Sequence, residues 1–199
     1  MKKTINIVAV LCVSILTGCA GTNFKRLTND QLSYGIDTSE IIRQKLGKPY
    51  SEGVITKNDK QFKTMSYAYA SAGGDAAQEG VTAARSQGLY FYENKLVGDE
   101  FTSSWAVDST DFDESKISQI KKGSTTISEV ESLLGAPSGQ YLYPLVTNEN
   151  EKAKIYMYSQ TKGSAFNLKF YQKLLVLSYD ASGVVTNIEY TEQGSKEKI

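Results

Sequence analysis

Fifteen residues of this chain are written twice. GIDTSEIIRQKLGKP (Gly35 to Pro49) and GSTTISEVESLLGAP (Gly123 to Pro137) align without gaps at an offset of 88, with Gly35/Gly123, Thr38/Thr126, Leu46/Leu134, Gly47/Gly135 and Pro49/Pro137 identical. Five identities exceed the roughly one that average residue usage would give, so both copies are expected to fold alike. Each reads as a short helix with its ends marked. Thr126 and Glu129 have capping-box spacing, and Asp37 with Glu40 has it one position earlier in the first copy. Ile127, Val130 and Leu134 fall on one helix face, as do Ile42 and Leu46. Gly47 and Gly135 suit a left-handed helix end, and the prolines two residues on prevent continuation. Thr28 with Gln31, and Asp111 with Glu114, look like the caps of a further short helix before each copy.

Strand patterns follow both copies. Lys63 to Ala70 alternates Met65, Tyr67 and Tyr69 with smaller residues, and Ala153 to Ser159 alternates Ile155 and Met157 with Tyr156 and Tyr158. Leu89 to Trp105 and Leu174 to Thr191 read as hairpins turning at Glu93 to Lys95 and at Asp180 to Gly183. The expected fold class is therefore α+β, with two tandem units of helix, helix and antiparallel sheet. Their spans are 27–107 and 111–192, followed by a polar tail at 193–199. The first unit carries an additional small-residue stretch, Ser71 to Gly88. It reads either as a mobile or weakly helical excursion along Asp75 to Arg85, or as a contact loop that a partner orders.

The N-terminus is an address. Lys2 and Lys3 precede a segment, Ile5 to Leu16, in which ten of twelve residues are apolar, and Leu16-Thr17-Gly18-Cys19 closes it. Twelve helical residues reach about 18 Å, short of the ~30 Å hydrocarbon core, which marks a secretion signal rather than a membrane anchor. The tetrad resembles the bacterial lipobox. That resemblance implies a signal peptide at 1–18, cleavage before Cys19, a lipid on its sulfur and amine, and a tether over 19–26. Ala20, where a retention signal would have Asp, favours the outer membrane of a Gram-negative envelope. Three acyl chains anchor stably, since two already suffice.

Processing alters the composition. The 199 residues carry 22 Lys+Arg, 22 Asp+Glu and no His. Loss of Lys2 and Lys3 leaves 20 bases against 22 acids, a charge of −2. Cys12 departs with the signal and Cys19 is lipidated, so no disulfide forms and the fold depends on its core. A chain without basic excess is no phosphate-neutralising nucleic-acid binder, and absent histidines remove His-based triads and most zinc sites. No Walker-type phosphate loop occurs. Adjacent acids remain, Asp111 with Asp113 and Asp99 with Glu100, but such acids in turns are usually solvated. Asp111, Asp113 and Ser115 open like a calcium loop, yet Lys116 replaces the required Gly and the closing Glu is missing. Neither a metal nor a cofactor is expected beyond the covalent lipid, and the chain reads as a non-enzyme.

Tyrosine dominates the strands. Tyr67, Tyr69, Tyr90, Tyr92, Tyr156, Tyr158, Tyr179 and Tyr190 fit ordinary sheet packing. Alternation also allows Leu89 and Phe91 to face the helices and Tyr90 and Tyr92 the other side, where broad rings with polar tips make good binding surface. Tyr67, Tyr69, Tyr90, Tyr92, Asp75 and Arg85 are thus the candidate partner contacts. Gly35, Thr38, Gly47, Pro49, Gly123, Thr126, Gly135 and Pro137 are structural.

The Gly, Thr, Val or Ile, Leu-Gly-x-Pro pattern, followed by strands ending in YDASGVVTNI, resembles the SmpA/OmlA (BamE-like) family of small outer-membrane lipoproteins of the β-barrel assembly machine. The resemblance covers Ile117 to Tyr190 and, more weakly, about Leu27 to Phe101. Two copies in one chain also resemble the architecture of the β-lactamase inhibitor protein, which presents a concave aromatic surface to an enzyme. These resemblances imply a membrane-anchored, periplasm-facing lipoprotein that serves as a non-catalytic protein-binding or envelope-assembly module. Alternatives are an inhibitor-like module for an envelope enzyme and, more remotely, a carboxylate-based wall hydrolase.

Overall fold

The motif written twice folds alike, but it docks on one sheet rather than two. A computed structural model describes residues 19–164 and 167–194; the expected signal peptide at 1–18 and residues 195–199 of the expected polar tail lie outside the described residues. In chain order the elements are β1 (Cys19–Gly21), α1 (Ser39–Leu46), β2 (Ser51–Lys57), β3 (Lys60–Ser71), β4 (Ala83–Tyr92), β5 (Lys95–Ser103), a 3-10 helix (Glu114–Gln119), α2 (Ile127–Leu134), β6 (Gly139–Leu142), β7 (Lys152–Ser164), β8 (Asn167–Tyr179) and β9 (Val185–Gly194).

Each helix starts and stops on its own sequence. Thr126 accepts a hydrogen bond from the Glu129 N–H at 3.3 Å, and the Glu129 carboxylate accepts from the Thr126 N–H at 2.8 Å. In α1 the cap is Thr38, one residue later than the expected Asp37; its hydroxyl accepts from the Ile41 N–H. Asp37 instead accepts from the Ser33 N–H at 3.0 Å and pairs with Lys45 at 2.8 Å. Gly47 (φ 79°, ψ −156°) and Gly135 (φ 86°, ψ −169°) end the helices in a positive-φ, extended conformation rather than a left-handed helical one. Only glycine tolerates that region readily.

Repetition extends to hydrogen bonds. Gly35 N–H donates to the Leu96 carbonyl and Leu96 N–H to the Asp37 carbonyl, both at 2.8 Å. Gly123 N–H donates to the Val185 carbonyl at 2.8 Å and Val185 N–H to the Thr125 carbonyl at 2.9 Å. Tyr67 Oη donates to the Gly47 carbonyl at 2.9 Å, and Tyr156 Oη to the Gly135 carbonyl at 3.0 Å. Each helix-ending carbonyl is thereby satisfied by a strand tyrosine.

Two features of the expected α+β fold, with its tandem helix-helix-sheet units, are corrected. The additional leading helices do not form as expected. Residues 29–31 make a single turn closed by Gln31 N–H to the Thr28 carbonyl at 2.8 Å. Before α2 there is only the 3-10 helix, capped by Asp113 rather than Asp111. The sheet is also continuous: all pairings are antiparallel, in the order β1-β3-β4-β5-β6-β7-β8-β9, with β2 also on β3. The join is β6, which pairs Gly139 with Glu100 of β5 and with Ile155 of β7. A Cβ on Gly139 would lie 2.2 Å from the Asp99 carbonyl oxygen, so this crossing requires glycine.

The physical reason is that the strands are apolar on both faces. One face carries the helices: Ile42 packs with Met65, Leu89 and Phe91, and Val130 packs with Tyr156, Leu175 and Val185. The opposite face joins Phe62 and Val97 of the first half to Tyr141, Ala153 and Ile155 of the second, under Leu145 and Val146 from the loop after β6. Separate units would leave this third cluster in water. Burying it stabilises by roughly 25 cal/mol per Å² of apolar surface.

Candidate functional site

The helix-free face holds the best-formed polar site. Alternation along β5 sends Asp99 and Glu100 to opposite sides of the sheet, so this adjacent pair of acids never shares a site. Glu100 reaches the helix-free face, where Tyr90 Oη donates to one carboxylate oxygen at 2.6 Å and Tyr141 Oη donates to the other. The two rings meet edge to face at 5.6 Å, and Lys57 Nζ sits 5.0 Å above the Tyr141 ring. Burial, reinforced by the Glu100 charge, raises both phenol pKa values well above 10.0, and the hydroxyls remain donors. Beside them Ala68, Ala70, Ala84, Ser86 and Thr102 floor a shallow cavity of about 230 Å³, with Tyr69, Arg85 and exposed Tyr50 at its margin. Small floor residues under a tyrosine rim give room for one apolar or aromatic side chain of a partner.

The candidate contacts separate between the two faces. Tyr90 and half-buried Tyr92 lie on the helix-free side, Tyr92 with its ring 5.7 Å from Phe62. Tyr67 is 3% exposed and packs in the core under α1. Tyr69 stacks on Trp105 at 5.7 Å with the planes 9° apart, and the Arg85 guanidinium lies 4.9 Å from the Trp105 ring while pairing with Asp108 at 3.2 Å. Asp75 is exposed in the following loop. The Ser71 to Gly88 stretch is not a helical excursion: residues from Ala83 onward belong to β4, and Ala76 and Val81 form bridges with Trp105 and Lys162.

A second polar centre is sealed between the halves. Asp99, 0% exposed, accepts from Tyr34 Oη at 2.5 Å, Gln87 Nε2 at 3.2 Å and the Gln140 N–H at 3.2 Å. Burial raises its pKa above the ordinary carboxylate value, opposed by those hydrogen bonds and by Arg26. Burial likewise lowers the Arg26 pKa, against the pull of Asp99. Arg26 donates to the Ser138 carbonyl at 2.8 Å. Asp99 is a fastening, closed to substrate. The other adjacent acids are also occupied. Asp111 pairs with fully buried Lys173 at 2.6 Å, joined by Glu114 at 2.6 Å, while Asp113 caps the 3-10 helix. Among the described residues no group of three or more acids, Cys or His is arranged to hold a metal.

The sequence marks Asp99 and Glu100 only as an adjacent acid pair and does not single out their partners Tyr141, Arg26 and Gln87. A signal for the Glu100 site existed in the alternation of Asp99 and Glu100 along a strand. None existed for the Asp99 centre, which brings together residues from three distant segments.

A family model described as the outer membrane protein assembly factor BamE domain matches residues 110–189. No curated protein matches the chain. Among solved structures, a provisionally assigned beta-lactamase inhibitor protein from Streptococcus mutans is similar, with 13% identity over 78% of this chain and 82% of that chain and a TM-score of 0.39. The matched BamE segment contains α2 and β6 to β8 entire and β9 as far as Glu189, so the second half of the sheet is what resembles an assembly-factor domain.

Proposed function

We propose that this protein is an envelope lipoprotein, secreted by its first 18 residues and anchored through acylated Cys19. It works without catalysis as a protein-binding module in outer-membrane assembly. The carrying observation is the BamE-domain match over residues 110–189. The lipobox supports the anchor, and the occupied, sealed or solvated acids favour contact over chemistry.

The helix-free face is the binding surface. Its floor of small residues bordered by Tyr50, Tyr69 and Arg85 offers apolar area with polar groups at its edge, beside the buried bonds of Tyr90 and Tyr141 to Glu100. Tyr69 and Arg85, stacked with Trp105, border the same cavity, whereas Tyr67 packs in the core and Asp75 is exposed in the loop after β3.

Two measurements test the reading. Labelled palmitate should enter the wild type and not Cys19→Ala; equal incorporation, or none, overturns the anchor. A photo-crosslinking residue at Tyr50, used in intact envelopes, should capture a defined protein that the same residue at Ile36, exposed at a distant site, does not capture. Identical adducts at both positions would remove the helix-free face as the contact surface.

A further inference from the structure

The segment expected to be a slack tether is built into the fold. β1 pairs antiparallel with the end of β3, Cys19 opposite Ser71 and Gly21 opposite Tyr69. Gly21 has a φ of +81°, and a Cβ there would stand 2.0 Å from the Ala68 carbonyl oxygen, so the two backbones are in direct contact. Beyond it the Phe24 ring packs 6.0 Å from that of Tyr67. Leu27 N–H donates to Gln87 Oε1 at 2.9 Å, and Gln87 Nε2 donates back to the Leu27 carbonyl at 2.8 Å. Free, the eight residues 19–26 could have reached roughly 28 Å. Held this way, residue 19 has a fixed place at one end of the sheet.

Strand direction decides what else lies there. β3, β5 and β7 all run toward that end and β8 begins at it, because every pairing is antiparallel. The loop after β3 crosses the end and joins the second half: Thr82 N–H donates to the Thr161 carbonyl at 2.9 Å. The loop after β5 folds against it through Ala106 N–H to the Asp75 carbonyl at 2.9 Å. Of the eight large apolar side chains exposed among the described residues, three are at this end: Val107 (81%), Leu168 (59%) and Phe170 (50%). Leu168 and Phe170 are two apart on β8 and share a face, while the register partners Lys162 and Lys169 lie on the opposite face. Exposed rings and aliphatic side chains gathered at one end of a sheet suit the boundary between water and lipid, which they can enter.

We propose that this end of the sheet rests directly on the phospholipid bilayer, with Val107, Leu168 and Phe170 in its interfacial layer. The inference rests on the reading of Cys19 as the acylated residue: an anchor fixed opposite Ser71 brings the same edge to the membrane and turns Ile36 and the Glu93 and Asn94 turn away from it.

The test uses the full acylated protein in phosphatidylethanolamine and phosphatidylglycerol vesicles. Nitroxide labels are placed at Leu168→Cys, Val107→Cys and, as the distant control, Ile36→Cys, all at exposed positions where folding is insensitive to the label. The mature chain offers no competing thiol once Cys19 is a thioether. The ratio of collision rates with oxygen to those with a water-soluble nickel complex should be several-fold higher at 168 and 107 than at 36. Equal ratios in vesicle-bound protein whose intact mass shows acylation overturn the bilayer contact while leaving the anchor standing. An intact mass without acyl chains overturns both.

Discussion

Gly47 and Gly135 end their helices in a backbone region that other residues enter at a cost, and neither has a heavy atom near its missing side chain. Gly135→Ala should therefore destabilise by about 1 to 3 kcal/mol through backbone strain alone, read as a lower urea midpoint with an unchanged m-value. The carbonyl that follows from this turn depends on Tyr156, which is buried. Tyr156→Phe leaves that acceptor unpaired and should cost about 1 to 3 kcal/mol by the same measurement. Asp99 gives a pH signature. Its folded-state pKa is raised, so between about pH 4, the ordinary carboxylate value, and that higher value the folded chain holds a proton the unfolded chain has released. Stability contributed by that proton is present at low pH and is lost as pH rises through the window. The stability of the wild type relative to Asp99→Asn should decline across it; a pH-independent difference would refute the assignment. The repeated glycines and prolines were legible as helix ends because they act locally. Asp99 was not, since its pKa is made by burial among residues distant in sequence.

At the scale of elements, α1 and α2 lie where periodicity and caps place them, and the β4 and β5 hairpin turns at Glu93 and Asn94, both at positive φ. β2 was overlooked although Asn58 and Asp59, also at positive φ, mark the turn that joins it to β3. Two residues of left-handed conformation suit the twist of a tight hairpin. The segment before α1 stays a turn for a simple cause: a few capped residues cannot repay helix nucleation, and Leu32, 6% exposed, goes into the core instead. Beyond β1, the paired Gln87 bonds to Leu27 fasten the N-terminal segment to β4. Gln87→Leu removes three buried hydrogen bonds, two to Leu27 and one to Asp99, and should free residues 22 to 27. The expected outcome is hydrogen exchange of the Leu27 amide at least about 10-fold faster, a factor that corresponds to ~1.4 kcal/mol, with α2 protection unchanged.

For the whole molecule, one sheet and a cluster shared across its join predict one unfolding unit. Calorimetry should give a single transition with equal calorimetric and van't Hoff enthalpies, and a fragment of residues 111–192 should not fold alone because Tyr141 and Ile155 would lose Phe62 and Val97. Two resolved transitions would contradict the shared cluster. The duplicated motif alone determined where the helices begin and end, that their Ile42 and Val130 faces are buried, and that tyrosine-rich strands follow, because caps, φ preferences and alternation act within a few residues. Tertiary structure decided that the strands form one sheet, which tyrosines are core and which line the open face, and where residue 19 sits relative to Val107, Leu168 and Phe170. Those outcomes depend on pairing register and on burial of both sheet faces, where segments far apart in the chain compete for the same apolar surface.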